Sequence, residues 1–118
     1  MANILIVDTQ AAVRQQLVKL MEDAGHRATA VATIAEATRI AQETPPDLLA
    51  TDVTLTDGSS TALVQQAIAL GAGTLMMTGS PDRIVEFGGA GQPYLSKPFT
   101  PELFVQRVEE ILAARRMT

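Results

Sequence analysis

Polar side chains stand where apolar, strand-like runs of this sequence end: Asp8 after Ile4-Leu5-Ile6-Val7, Asp52 after Leu48-Leu49-Ala50-Thr51, Thr78 after Thr74-Leu75-Met76-Met77, and Lys97 after Tyr94-Leu95-Ser96. A carboxylate is a competent nucleophile toward phosphorus when it is ionised and the charge gathering on the phosphoryl oxygens is neutralised. A lysine ammonium is a compact charge that can pair with such a carboxylate. A threonine hydroxyl can both donate and accept a hydrogen bond. Taken singly, each has a plainer reading: an acid capping a turn, a solvated lysine before a proline, a threonine placed by β-propensity. The chemical reading therefore depends on whether the fold gathers them.

The elements between them alternate. Residues 3–7 read as a parallel strand buried on both faces. Val13, Leu17, Leu20, Met21 and Ala24 then fall at helical spacing, with Gly25 placed to end the helix. Arg27–Val31 is a weak second strand, and Thr33 with Glu36 forms a capping box for a second helix that Pro45-Pro46 stops. Asp47–Thr51 leads to Asp52 as the third strand; a polar loop through Asp57-Gly58 and a helix ending near Gly71 follow. Thr74–Met77 and Pro93–Ser96 are the remaining strands, with a short helix around Asp82–Phe87 between them. Thr100 and Pro101 open the last helix, whose buried stripe is Phe104, Val108, Ile111 and Leu112. Strict alternation implies a parallel sheet with right-handed crossovers and helices on both faces. Ligands bind such sheets outside the carboxyl ends of the strands, which is where Asp8, Asp52, Thr78 and Lys97 all stand.

Composition narrows the function classes. At 118 residues the expectation is one domain, 1–118, without a separate output domain. The 47% hydrophobic and 19% charged content suits a soluble globular chain, and no apolar run is long enough to span a bilayer. The N-terminus lacks the flanks of a signal peptide, and the absence of cysteine suits a reducing, cytoplasmic location. The net charge of −4 and the single basic pair Arg115-Arg116 offer no stripe for nucleic acid, and Phe87, Tyr94, Phe99 and Phe104 are too few for a base-stacking platform. His26, the sole histidine, reads as a surface loop residue remote from the strand ends, and the methionines read as core filler.

Ile4–Asp8 followed by Arg14, Asp52 after an apolar run, Thr78-Gly79 after another, and Tyr94-Leu95-Ser96-Lys97-Pro98-Phe99 together resemble the response-regulator receiver family of two-component signalling, over essentially the whole chain. The resemblance implies a flavodoxin-like (βα)5 fold with a five-stranded parallel sheet in the order 2-1-3-4-5. It implies a phosphoryl group accepted on Asp52 from a histidine kinase or phosphotransfer protein, with self-catalysed transfer and slow self-dephosphorylation rather than enzymatic turnover. Lys97 matches the family's lysine, Thr78 its switch hydroxyl, and Tyr94 the aromatic that moves with that hydroxyl. Magnesium is the implied ion, held by Asp8, Asp52 and the carbonyl of Thr54. A downstream protein partner would read the modified state, with the domain itself a monomer or weak homodimer.

The sequence departs from the family in places. Thr9 stands where a second acid is usual, so magnesium binding is expected to be weaker than the family norm. Thr56 and Ser60 replace a usual proline and glycine, which suggests a more mobile loop after Asp52. The short interval from Thr78 to Lys97 is similar to a subset of small stand-alone receivers. Thr9 also keeps open a pseudo-receiver that binds partners without taking phosphate. Asp52-Val53-Thr54-Leu55-Thr56 further resembles the Asp-x-x-x-Thr motif of haloacid-dehalogenase-type phosphatases, but it follows the third strand rather than the first, and no cap domain accompanies it.

Overall fold

The computed structural model describes residues 2–79 and 93–116. In chain order it contains β1 (Asn3–Val7), α1 (Ala11–Asp23), β2 (Arg27–Val31), α2 (Ile34–Glu43), β3 (Leu48–Asp52), β4 (Thr54–Leu55), β5 (Gly58–Ser59), α3 (Thr61–Ala69), β6 (Gly73–Thr78), β7 (Tyr94–Ser96) and α4 (Pro101–Arg116). Strands β2, β1, β3, β6 and β7 form one parallel sheet in that order, while β4 and β5 pair as a separate antiparallel hairpin. With the hairpin set aside, the order is the 2-1-3-4-5 of a flavodoxin-like sheet. The helix expected at Asp82–Phe87 lies outside the described residues.

The period-two geometry of the strands divides the core into two layers. Ile4, Ile6, Leu48, Ala50, Leu75, Met77 and Leu95 pack on Leu17 and Met21 of α1 and on Phe104, Val108 and Leu112 of α4. Leu5, Val7, Leu49 and Met76 face the other way, onto Ala37 and Ala41 of α2 and Leu63, Val64 and Ala67 of α3. Both faces being covered explains why the central strands read as unbroken apolar runs. Edge strand β2 alternates exposed and partly covered residues until Val31, which accounts for its weak sequence signal.

The helix boundaries have local causes. Gly25 and Gly71 adopt φ of +90° and +85° after α1 and α3, a region that costs an L side chain strain. Thr33 caps α2: its hydroxyl accepts from the Glu36 amide at 3.2 Å and donates to the Glu36 carboxylate at 3.0 Å. Thr100 caps α4 through the Leu103 amide at 3.1 Å.

Two expectations change. The polar loop after Asp52 forms a hairpin in which Thr54 pairs with Ser59 and Leu55 with Gly58. Leu55 anchors it by burying its side chain on the α2 and α3 side of the core. His26 is a buried joint rather than a surface loop residue. Its Nδ1 accepts from the Ala2 amide at 3.0 Å, so the ring proton sits on Nε2, which faces Glu109 Oε1 at 2.6 Å. It ties the start of β1 to α4, far from the strand ends that carry the polar cluster.

At the opposite end of the sheet, Asp47 accepts from the Asn3 amide at 2.8 Å and from Arg115 Nη1 at 3.1 Å. The Asn3 amide holds this carboxyl below the usual range, with Arg115 adding to the effect against a smaller opposing burial. Beside it, Gly73 opens β6 under α4: a Cβ there would lie 2.6 Å from Ile111 Cγ2. The Gly73→Ala variant must therefore push α4 outward, and we expect it to lose about 1–3 kcal/mol of stability. Urea denaturation of the two proteins would show a lower midpoint at unchanged slope; equal midpoints would contradict this packing.

Candidate functional site

Strand register builds the site. Val7 lies opposite Thr51, so the next residues, Asp8 and Asp52, emerge side by side at the carboxyl ends of the two central strands. Asp52 is also in register with Met77, and Thr78 with Ser96, which brings Thr78 and Lys97 to the same rim. The Lys97 amide donates to the Thr78 carbonyl at 2.7 Å, fixing the lysine backbone where β7 ends. The peptide between Lys97 and Pro98 is cis.

The lysine side chain crosses back over the rim to both acids: Nζ is 2.8 Å from Asp8 Oδ2 and 2.7 Å from Asp52 Oδ1. Asp8 has no exposed surface and Asp52 retains 7%. The second oxygen of Asp8 accepts from the Gln10 amide at 2.8 Å, which sets the turn into α1, and Arg14 Nη1 donates to the Asp8 carbonyl at 2.7 Å. Asp8 is thus held on every side. Asp52 Oδ2 receives a longer contact, 3.4 Å, from the Thr9 amide. It is the more loosely held carboxylate oxygen of the pair.

Burial pushes the Asp52 carboxyl up, as does the neighbouring charge of Asp8; the hydrogen bond and charge of Lys97 pull the other way without fully offsetting them. For Lys97, burial works against the charged form, but the hydrogen bonds to Asp52 and Asp8 outweigh it and raise the ammonium above its ordinary value. The lysine is therefore charged throughout the physiological range. With two carboxylates sharing one ammonium, the cluster keeps an excess negative charge that a cation or a donor could still use.

A pocket of about 250 Å³ opens over this cluster, lined by Asp52, Val53, Thr54, Met77, Thr78, Gly79 and Lys97. The structure thus gathers Asp52, Thr78, Lys97 and Thr54 at one pocket, with Asp8 beneath it as a buried partner of the lysine. Tyr94 stands outside, 44% exposed on edge strand β7. The residue that sequence reasoning passed over is Ser60. Its amide and its hydroxyl both donate to the Val53 carbonyl, at 3.0 and 3.1 Å, closing the loop that follows Asp52. Its sequence signal is only a serine placed just ahead of a helix, and the burial that makes it matter is visible in the fold alone.

The donor set suits a hard divalent ion. Asp52 Oδ2 has coordinating capacity left, backbone carbonyls and water are natural further ligands, and magnesium commonly binds through one or two carboxylates with the rest water. Among the described residues, however, no group of three or more acidic, histidine or cysteine side chains converges. Position 9, next to Asp8, carries the neutral hydroxyl of Thr9 rather than a further carboxylate.

A family profile described as the response regulator receiver domain matches residues 4–109. Comparison with curated proteins found no match. Among solved structures, a protein assigned as a response regulator from Chloroflexus aurantiacus is 30% identical, with a TM-score of 0.82 over 95% of this chain and 98% of that one. The chemotaxis response regulator CheY4 of Vibrio cholerae is 28% identical, with a TM-score of 0.82 over 94% and 98%. A CheY-like receiver domain protein from Methanospirillum hungatei superposes at a TM-score of 0.88 over 99% and 98%, and at 24% identity it speaks for the fold alone. Profile, fold and gathered strand-end residues agree: the chain belongs to the response regulator receiver family of two-component signalling.

Proposed function

We propose that Asp52 is the phosphoacceptor of this receiver, taking a phosphoryl group from a histidine kinase or a phosphotransfer protein and signalling to a protein partner through a change of shape. The observation that carries this reading is the shared lysine: Asp52 lies at the floor of a pocket, tied to Asp8 through Lys97 Nζ, with Thr78 on the wall. Receivers are signalling modules rather than turnover enzymes, and among the described residues no helix is long and apolar enough to cross a membrane.

Each residue has a derivable task. A carboxylate oxygen of Asp52 attacks phosphorus as the P–N bond of the donor phosphohistidine breaks and its imidazole leaves, while Lys97, paired with Oδ1 beforehand, afterwards pairs with a phosphoryl oxygen. Asp8 keeps the ammonium in place and charged. Thr78 supplies a hydroxyl whose best acceptor exists only after transfer. Receivers typically bind magnesium, and when bound here the ion would neutralise charge on the phosphoryl oxygens; Asp52, the Thr54 carbonyl and, through water, Asp8 are the groups that would hold it. Because Asp52 attacks as the carboxylate and burial raises its pKa, transfer should slow as the pH falls through that raised value.

The second reading, a pseudo-receiver that never takes phosphate, is favoured by Thr9 and by an Asp8 whose two oxygens are already engaged. Intact mass after incubation with a small acyl phosphate and magnesium separates the two. The phosphoacceptor reading requires one added phosphoryl group on the wild type and none on Asp52→Asn; an unmodified wild type would support the pseudo-receiver.

Lys97→Ala should keep the fold but lose up to about 3 kcal/mol, because both acids lose their counter-ion while the lysine itself is partly solvated. It should also lose the phosphorylation-dependent response of Tyr94, the sole tyrosine, read by intrinsic fluorescence. An unchanged fluorescence response would remove Lys97 from the coupling.

Thr9→Asp should lower the magnesium concentration needed for half-maximal phosphorylation by roughly tenfold, since it adds a carboxylate beside Asp52. In a pseudo-receiver blocked only at this position, the same change should create phosphorylation. Identical magnesium titrations for both proteins would show that the ion is held elsewhere.

A further inference from the structure

The amino end of α2 is closed from two directions. Thr33 satisfies the Glu36 amide, as its place at the cap predicts. The Ile34 and Ala35 amides have no such local partner and donate instead to the two oxygens of Asp57, at 3.0 and 3.1 Å. Asp57 sits at the turn of the hairpin between β4 and β5, so one carboxylate bridges the loop after Asp52 to a helix more than twenty residues earlier in the chain.

The loop is thereby pinned at both ends. Ser60 closes its base on the Val53 carbonyl, and Asp57 fixes its tip to α2. Between these anchors lies Thr54, which shares the wall of the pocket with Asp52 and Val53. A hairpin of two residues per strand is not stable by itself, and Thr56 does not fix the backbone covalently as a proline would. The Ile34 amide, with that of Ala35, holds the Asp57 carboxyl below the usual range, so it is ionised at neutral pH and favoured by the positive end of the helix.

We propose that Asp57 is a positioning residue for the Asp52 site, holding the Thr54 wall in place by clasping the hairpin tip to the start of α2. The role in phosphoryl transfer rests on the phosphoacceptor reading of Asp52, whereas the role in loop order does not.

The test compares Asp57→Ala, Asp57→Asn and Thr33→Ala in the intact chain. Thr33→Ala weakens the same helix end without touching the hairpin. Phosphorylation of Asp52 by a small acyl phosphate is followed by intact mass over a range of magnesium concentrations, and amide hydrogen exchange is measured over residues 53–60. Asp57→Ala should slow phosphorylation by roughly fivefold and raise the magnesium requirement, because a displaced wall misaligns the attacking site. It should also speed exchange in 53–60. Asp57→Asn, which keeps one acceptor oxygen, should recover part of both effects, and Thr33→Ala should leave phosphorylation near the wild-type rate. Wild-type rate and exchange in Asp57→Ala would overturn the proposal, as would an equal slowing in Thr33→Ala, which would reduce Asp57 to a helix cap. If the wild type takes no phosphoryl group, the phosphoacceptor reading fails and exchange alone decides: faster exchange in Asp57→Ala but not in Thr33→Ala sustains the clasp, and unchanged exchange in Asp57→Ala overturns it.

Discussion

Two carboxylates forced side by side at the ends of adjacent strands, both withdrawn from water, need a counter-charge, and Lys97 supplies it to both. Removing a charge from water costs several kcal/mol, so such a cluster persists only where geometry is tight and the remaining oxygens are satisfied. Here the geometry comes from elements far apart in sequence. Register places Asp8 beside Asp52, and the Thr78 carbonyl places the Lys97 backbone. The Gln10 amide and Arg14 then fix the Asp8 turn. The sheet order follows the same demand, since it puts the two acid-bearing strands at the centre and the lysine-bearing strand at an edge, where the ammonium can reach inward from the rim.

How far this was legible in the sequence depended on whether a feature is local. Buried parallel strands announce themselves as apolar runs, and Thr33, Gly25, Pro45 and Thr100 mark boundaries through chemistry confined to a few residues. Asp8, Asp52, Thr78 and Lys97 were legible because a strand end is itself a local signal and the fold class says where such ends gather. The hairpin was not, because its strands are too short for a periodic pattern and its anchor, Leu55, reads as one apolar residue in a polar loop. His26 was misread for a related reason: its partners are Ala2 and Glu109, and no pattern around a lone histidine discloses a pairing made across the fold. Ser60 and Asp57 bond the loop after Asp52 to the Val53 carbonyl and to the start of α2, contacts that leave no trace in local composition.

Having Thr9 rather than a third carboxylate beside Asp8 and Asp52 alters the charge balance rather than the architecture. A third carboxylate would deepen the negative field over the pocket and leave Lys97 unable to neutralise it, making a bound cation close to obligatory for ionised Asp52. With two carboxylates, the lysine covers a larger share of the charge, and the Thr9 backbone still offers its amide to Asp52 Oδ2. What remains raising the Asp52 carboxyl is chiefly burial, with the Asp8 charge behind it. Burial is a property of the closed loop and the rim rather than of the acid count. The same walls that surround Asp52 therefore also raise its carboxyl above the usual range.

That dependence joins the two ends of the loop after Asp52 to the chemistry. Val53 is bonded to β6 through the Met77 carbonyl and to Ser60 through its own carbonyl, so the backbone next to the nucleophile is tied to the strand that carries Thr78. Thr78 in turn accepts from Lys97, whose side chain returns to Asp52. Asp52, the Thr78 backbone and the Lys97 ammonium thus lie on one closed circuit of covalent and hydrogen bonds rather than on independent loops. Tyr94 begins β7 two residues before Ser96, exposed at the sheet edge. That three-residue strand joins Ser96, the register partner of Thr78, to Tyr94 at the sheet edge.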